Sequence, residues 1–229
     1  TLTENLKGTY MELAEILEFL KTSPVRISVF GEFSSGKTTF LNALIGEDIL
    51  SVATEPTTAV PTYIRYGREF NIRVDIKDGT RLNLFEKGEA PFWVRFVGRE
   101  GIFNTLERQK GLIRDFLKGW TKEGEKAEDV TNISIELPLE WLRKGVELVD
   151  TPGTNAEFTK HQHYTERVSE ETDIAVLLMD ARHGGGKRSE FEFMNKVGKL
   201  DSKSLIVLNK MDVIDQDERD DIREFVIEE

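Results

Sequence analysis

Gly31-Glu32-Phe33-Ser34-Ser35-Gly36-Lys37-Thr38-Thr39 has the form G-x-x-x-x-G-K-T, with a short apolar run before it and another after it. Those residue types at that spacing suit a phosphate chain. Gly31 and Gly36 let the backbone curl so that successive N–H groups point inward at phosphate oxygens. A following helix turns its positive end to the same anion. Lys37 is placed to reach β- and γ-phosphates as a point charge, and the Thr38 hydroxyl to ligate Mg²⁺. All nine positions, from Gly31 to Thr39, are candidate nucleotide contacts.

Two later stretches carry matching chemistry. Asp150-Thr151-Pro152-Gly153 follows the largely apolar, strand-like segment Val146–Val149. Asp150 there suits the Mg²⁺ shell, and Gly153 lets a backbone N–H come close to a γ-phosphate. Taken alone, this tetrapeptide reads equally as a tight surface turn. Asn209-Lys210-Met211-Asp212 follows a second apolar run, Leu205–Leu208. A carboxylate only accepts, so Asp212 can take two parallel N–H bonds from the amide edge and exocyclic amine of guanine. Adenine offers no such pair and would leave the acceptor unpaired, at a cost of about 1–3 kcal/mol. Asn209 and Lys210 would bond the base and cover its face. Three motifs in this order, each at a strand end, describe one guanine-nucleotide site.

The elements that must position these loops are legible in the apolar pattern. Val25–Phe30, Thr62–Tyr66, Val146–Asp150, Ile174–Met179 and Ser204–Leu208 read as strands; Phe40–Ile45 reads as a helix burying Phe40, Leu41, Leu44 and Ile45, and Asp220–Glu229 as one with Ile222, Phe225 and Val226 on its inner side. Strands alternating with helices predict an α/β, doubly wound sheet with ligands at its carboxyl edge. Phe70–Asp75 and Arg81–Phe85 alternate around Asp78-Gly79, a hairpin signal. Residues 102–120 have helical spacing and Ile133–Leu137 alternates as a strand. Residues 67–140 are thus expected as an insertion of hairpin, helix and strand within a nucleotide domain spanning 23–229. Residues 1–22 predict a helix opened by Thr1-x-x-Glu4; its stripe suits a bundle or neck as well as the domain's own surface. Residues 47–61 lack periodicity and hold Thr57 and Thr58, where a nucleotide-sensitive switch would sit. Phe92–Val97 reads as a buried strand or packed loop rather than a membrane-dipping patch.

Bulk properties narrow the partners. The 229 residues are 38% hydrophobic and 32% charged, with a net charge of −11. Such an acidic body disfavours a generic nucleic-acid or anionic-lipid surface. With zero cysteines there are no disulfides, thiolate metal sites or thiol catalysis, which fits a cytosolic setting. No apolar run is long enough to span a bilayer. His161-x-His163 lacks a nearby third ligand, and Gly184-Gly185-Gly186-Lys187-Arg188 lacks the apolar helix a second phosphate loop needs.

The three motifs together resemble the GTPase superclass. The interval from Asp150 to Asn209 is similar to that of a small Ras-like enzyme, whereas Lys37 to Asp150 is far longer. With Gly-Glu-Phe-Ser-Ser-Gly-Lys-Thr-Thr, Pro56-Thr57-Thr58-Ala59-Val60 and the preceding helix, nearly the whole chain resembles the dynamin family, nearest its bacterial dynamin-like branch. The resemblance implies a P-loop GTPase that turns GTP into GDP, dimerises face to face through its nucleotide domains, and couples hydrolysis to membrane remodelling. It implies a catalytic set of Lys37, Ser34, Thr58 and Gly153. Mg²⁺ would be held by Thr38, Thr58 and Asp150, with Thr57 the alternative to Thr58. Ser34 would help hold K⁺ or Na⁺ beside the phosphates. Two positions depart from the pattern: Phe33 stands where dynamins commonly have glutamine, and Thr154 where Ras-like enzymes keep theirs. Slow intrinsic hydrolysis is therefore expected, with rate supplied by a partner surface or cation. Because GTPases carry a further strand beyond Asn-Lys-x-Asp, a final strand and helix are expected beyond Glu229. Lipid contact is expected through parts outside this chain, at the inner face of a membrane or in the cytoplasm. Two other readings share the motifs. A ribosome- or RNA-modification-type GTPase would bring a basic extension, which is not visible here. A nucleotide-gated scaffold with little hydrolysis is suggested by Phe33 and the absent glutamine.

Overall fold

The computed structural model describes residues 23–50, 60–85, 129–153, 167–184, 190–191 and 204–228. In chain order these form β1 (Val25–Phe30), α1 (Lys37–Ile45), β2 (Thr62–Tyr66), β3 (Asn71–Ile76), β4 (Arg81–Asn83), β5 (Val130–Leu137), β6 (Val146–Asp150), β7 (Ile174–Asp180), β8 (Ser204–Asn209) and α2 (Gln216–Glu228). All eight strands share one mixed sheet, ordered β4-β3-β5-β2-β6-β1-β7-β8.

The sheet has a parallel half and a mixed half. β6, β1, β7 and β8 run parallel, so Phe30, Asp150, Asp180 and Asn209 all lie toward one edge. β2 is antiparallel to β6 and parallel to β5, and the β3–β4 hairpin closes the other side. That hairpin turns at Asp78-Gly79: Gly79 has φ 87, and the Asp78 carboxylate accepts from Thr80 N at 2.8 Å.

The continuous apolar run of β7 has a simple cause, which is burial on both faces. Neighbouring residues go to opposite sides. Val29, Leu148, Val176 and Leu178 join the larger core with Leu41 and Ile45 of α1, while Phe30, Val149, Leu177 and Met179 join the smaller one. Asn42 fixes how the chain leaves α1, since its side-chain oxygen accepts from Ile49 N and Leu50 N at 3.2 and 3.0 Å. Arg26 bonds Glu147 at 2.7 Å and Glu171 at 2.6 Å, tying β1 to β6 and to the turn before β7 at the end remote from the loops.

Two helix faces differ from expectation. Leu44 is 48% exposed, so α1 buries Leu41 and Ile45 without it. On α2 only Ile222 is buried; Phe225 is half exposed, its ring nearly perpendicular to that of Phe191. β8 lies at the end of the sheet, with Leu205 59% exposed. The expected helices in 1–22 and 102–120, the Phe92–Val97 segment and the 161–163 histidines lie outside the described residues. Among the described residues no helix is long and apolar enough to cross a membrane.

Candidate functional site

The phosphate-loop motif forms the turn from β1 into α1. Its glycines are sterically required. A Cβ on Gly31 would lie 2.3 Å from the Leu178 carbonyl oxygen, and one on Gly36 would lie 2.4 Å from Asn209 Nδ2. Gly36, at φ 98, also starts the helix: its carbonyl accepts from Phe40 N at 2.8 Å. Ser34 holds φ 63, a left-handed conformation unfavourable for a residue with a side chain. Lys37 is buried and donates to the carbonyls of Gly31 at 3.0 Å and Glu32 at 2.8 Å. Burial pulls its ammonium below the usual lysine range, opposed by the charges of Asp150, Glu190 and Glu32. Neutral carbonyls satisfy its hydrogens without supplying a full negative charge, which a phosphate oxygen would. Glu32 and Ser35 are buried; Phe33 is 72% exposed and Thr39 lies on the open side of α1.

The second motif meets the first directly. Thr38 Oγ1 donates to Asp150 Oδ2 at 2.9 Å, and Asp150 Oδ1 is buried without a partner. Burial pushes the Asp150 carboxyl up to about 6, while Thr38 and Lys37 pull it back. The Thr151 hydroxyl donates to Val29 O at 2.7 Å, locking the turn to β1. Gly153 packs on the phosphate loop so closely that a Cβ there would lie 2.9 Å from Phe33 N.

The third motif reaches across to the first with two side chains. Asn209 Nδ2 donates to Ser35 O at 2.8 Å, and Lys210 Nζ donates to Ser34 O at 2.6 Å. Lys210 also has φ 63. Ser34 and Lys210 are thus the non-glycine residues with left-handed backbone among the described residues, and they are bonded to each other. Asp212 is exposed in the short turn Met211–Val213, free to accept from a base edge. Sequence reasoning missed Asp180. It ends β7 beside Asn209, accepts from Lys210 Nζ at 2.7 Å, and is gripped by the Arg182 guanidinium. Arg182 first, and then Lys210, hold its carboxyl well below the usual carboxylate range. An acid closing an apolar strand level with Asp150 and Asn209 was the available signal.

Gly31, Gly36, Lys37, Thr38, Asp150, Gly153, Asn209 and Lys210 are therefore brought together, while Thr57 and Thr58 lie outside the described residues. The donors fit a nucleotide with Mg²⁺. A hydroxyl and a buried carboxylate oxygen lacking a partner stand side by side, and one carboxylate suits an ion that keeps several waters.

Residues 27–212 match the family described as the dynamin family. The chain belongs to the dynamin family. The described sheet, with its three loops, is accordingly a dynamin-family GTPase domain. Dynamin-like protein 2 of Campylobacter jejuni is 27% identical over 212 residues, covering 92% of this chain and 30% of the relative. The bacterial dynamin-like protein of Nostoc punctiforme is 33% identical over 136 residues, covering 59% of this chain and 18% of the relative. A solved structure described as an oligomerised bacterial dynamin pair, providing a mechanism for long-range sensing and tethering of membranes, shares the fold. Its TM-score is 0.59 at 23% identity, covering 97% of this chain and 31% of that one. The chain thus spans about a third of the length of the Campylobacter relatives it matches.

Proposed function

We propose that this dynamin-family domain binds GTP with Mg²⁺ and hydrolyses it to GDP and phosphate. The observation that carries the reading is direct bonding among three loops far apart in sequence: Thr38 to Asp150, Asn209 to Ser35, and Lys210 to Ser34. Loops already bonded to one another need little reordering when a nucleotide arrives.

In this reading the N–H groups of residues 31–39 cradle the phosphates, and Lys37 exchanges its two carbonyl partners for phosphate oxygens. Thr38, Asp150 and Thr58, with Thr57 the alternative, would hold Mg²⁺. The ion would neutralise charge on the β- and γ-phosphate oxygens. The Gly153 N–H faces the γ-phosphate and Thr58 orients the attacking water. Asn209, Lys210 and Asp212 hold guanine, and Ser34 helps seat K⁺ or Na⁺. With Phe33 and Thr154 in the places of glutamine, hydrolysis by one copy is slow and rises when a second copy meets the nucleotide face.

Residues 23–229 would be the GTPase domain, 67–140 an insertion that extends the sheet, and 1–22 a helix of a bundle or neck. For the whole protein we propose membrane remodelling from the cytoplasmic side, with lipid contact through parts outside these residues. The names of its relatives and the description of the similar dynamin pair support this. A net charge of −11 argues against nucleic acid as a partner. The test is GTP turnover per molecule measured against protein concentration, in K⁺ and in Na⁺. Specific activity that climbs with concentration is expected; flat zero turnover in both salts would overturn the enzymatic reading.

A further inference from the structure

We propose that Asp180, outside all three motifs, is the positioning residue that fixes Lys210 across the phosphate loop and so sets how long a guanine nucleotide is retained. The inference rests on the site being a guanine-nucleotide site.

A lysine is a poor strut by itself, since its four-carbon stem loses much rotamer freedom when held in one geometry. Lys210 is nevertheless held at both ends. Its backbone is left-handed at φ 63, and its ammonium sits between Ser34 O at 2.6 Å and Asp180 Oδ2 at 2.7 Å. Ser34 O is a neutral acceptor on a residue that is itself left-handed. Asp180 supplies the charged end of the bridge. It can do so because its own position is fixed four times over. It is the last residue of a buried parallel strand, in register with Asn209. Its Oδ1 accepts from Arg182 N at 3.1 Å and from Arg182 Nε at 2.9 Å, and its Oδ2 accepts from Arg182 Nη2 at 2.6 Å. The Asp180 side chain is 6% exposed, against 51% for Arg182, and its Oδ2 accepts from Arg182 and Lys210 together.

Held at both ends, the Lys210 stem becomes a fixed apolar wall for the face of a base. The same ammonium pins the phosphate loop at Ser34. Asp180 thereby acts on base and phosphate subsites together through one side chain. Its loss should weaken GDP and GTP alike, because the parts it organises serve both.

The experiment follows release of a fluorescent GDP analogue from the full chain by stopped flow. Asp180→Asn is nearly isosteric and keeps an acceptor for Arg182 N, but removes the charge. It should speed release about tenfold or more, as expected for loss of one charge-assisted hydrogen bond. Lys210→Met should do the same. In the Lys210→Met background Asp180→Asn should then change nothing further, whereas a residue that merely supports the fold would add its effect in full. Release from Asp180→Asn at the wild-type rate, or additive effects in the double variant, would overturn the proposal. Should Asp180→Asn not fold, Asp180→Glu completes the same cycle: faster release alone and no added effect with Lys210→Met are expected, and additivity refutes. A wild-type chain that binds no guanine nucleotide would instead refute the proposed function.

Discussion

Gly36→Ala divides into two effects of known size, and Gly79→Ala isolates one of them. A Cβ at position 36 would lie 2.4 Å from Asn209 Nδ2, so the amide must swing away and its 2.8 Å bond to Ser35 O is lost. A hydrogen bond of that kind contributes about 0.5–1.5 kcal/mol. The backbone at φ 98 is left-handed. That conformation costs alanine about 1–2 kcal/mol. Gly79 has φ 87 and nothing within 4 Å of its Cβ, so its alanine variant carries the backbone cost alone. Gly79→Ala should melt roughly 2–8 °C lower, since each kcal/mol moves Tm by about 2–4 °C in a domain of this size. Only at position 36 can an open loop relieve both effects, and nucleotide must then close it again. The sum of about 1.5–3.5 kcal/mol predicts a loss of roughly 10- to 300-fold in GDP affinity, by calorimetry, for Gly36→Ala. Gly79→Ala should bind GDP as the wild type does. Equal GDP affinity in the two variants would refute the claim that Gly36 is required by the Asn209 contact.

Lys37→Ala should abolish GTP turnover while melting within a few degrees of the wild type, because its hydrogen bonds in the free domain go to two loop carbonyls rather than to the core; unchanged turnover would misplace the phosphate site. Asp212→Asn should weaken GTP and favour xanthosine triphosphate, because xanthine presents a carbonyl where guanine has its amine; competition binding that still prefers GTP in full would contradict the base assignment. Asp180 is held below the usual carboxylate range, so the stability it contributes is present above the unfolded carboxylate pKa and is lost as pH falls through the folded value. The melting difference between wild type and Asp180→Asn should therefore be flat from about pH 5 to 8 and shrink below about pH 4; a change near neutrality would contradict the ion pair.

What the sequence displayed and what it hid follow from range. β7 begins where the apolar pattern places it and runs one residue further, to Asp180, because burial on both faces leaves a continuous signature. The Asp78-Gly79 turn was legible because a left-handed glycine after aspartate is a local event. α2 starts at Gln216, four residues before the expected Asp220, since its first turn is entirely polar and carries no periodicity. Leu44 looked buried because helical spacing cannot say how wide a face the sheet covers. In the site, the three motifs were visible as strand-end loops, but their mutual bonds were not. Nothing in residues 34 and 210 taken separately announces that one donates to the other. Asp180 escaped notice for the same reason: its partner Lys210 lies on the neighbouring strand's loop, and no fixed spacing links the two.

The central claim is that main-chain amides at one rim of this sheet grip a nucleotide while a single acid distinguishes guanine from adenine. Calorimetric titration of the wild-type domain with GDP and with ADP, in the same buffer with Mg²⁺, tests it most directly. The account predicts binding of GDP, with ADP weaker by about 1–3 kcal/mol or more, roughly 5- to 150-fold. No heat with either nucleotide, or equal affinities for the two, would contradict it.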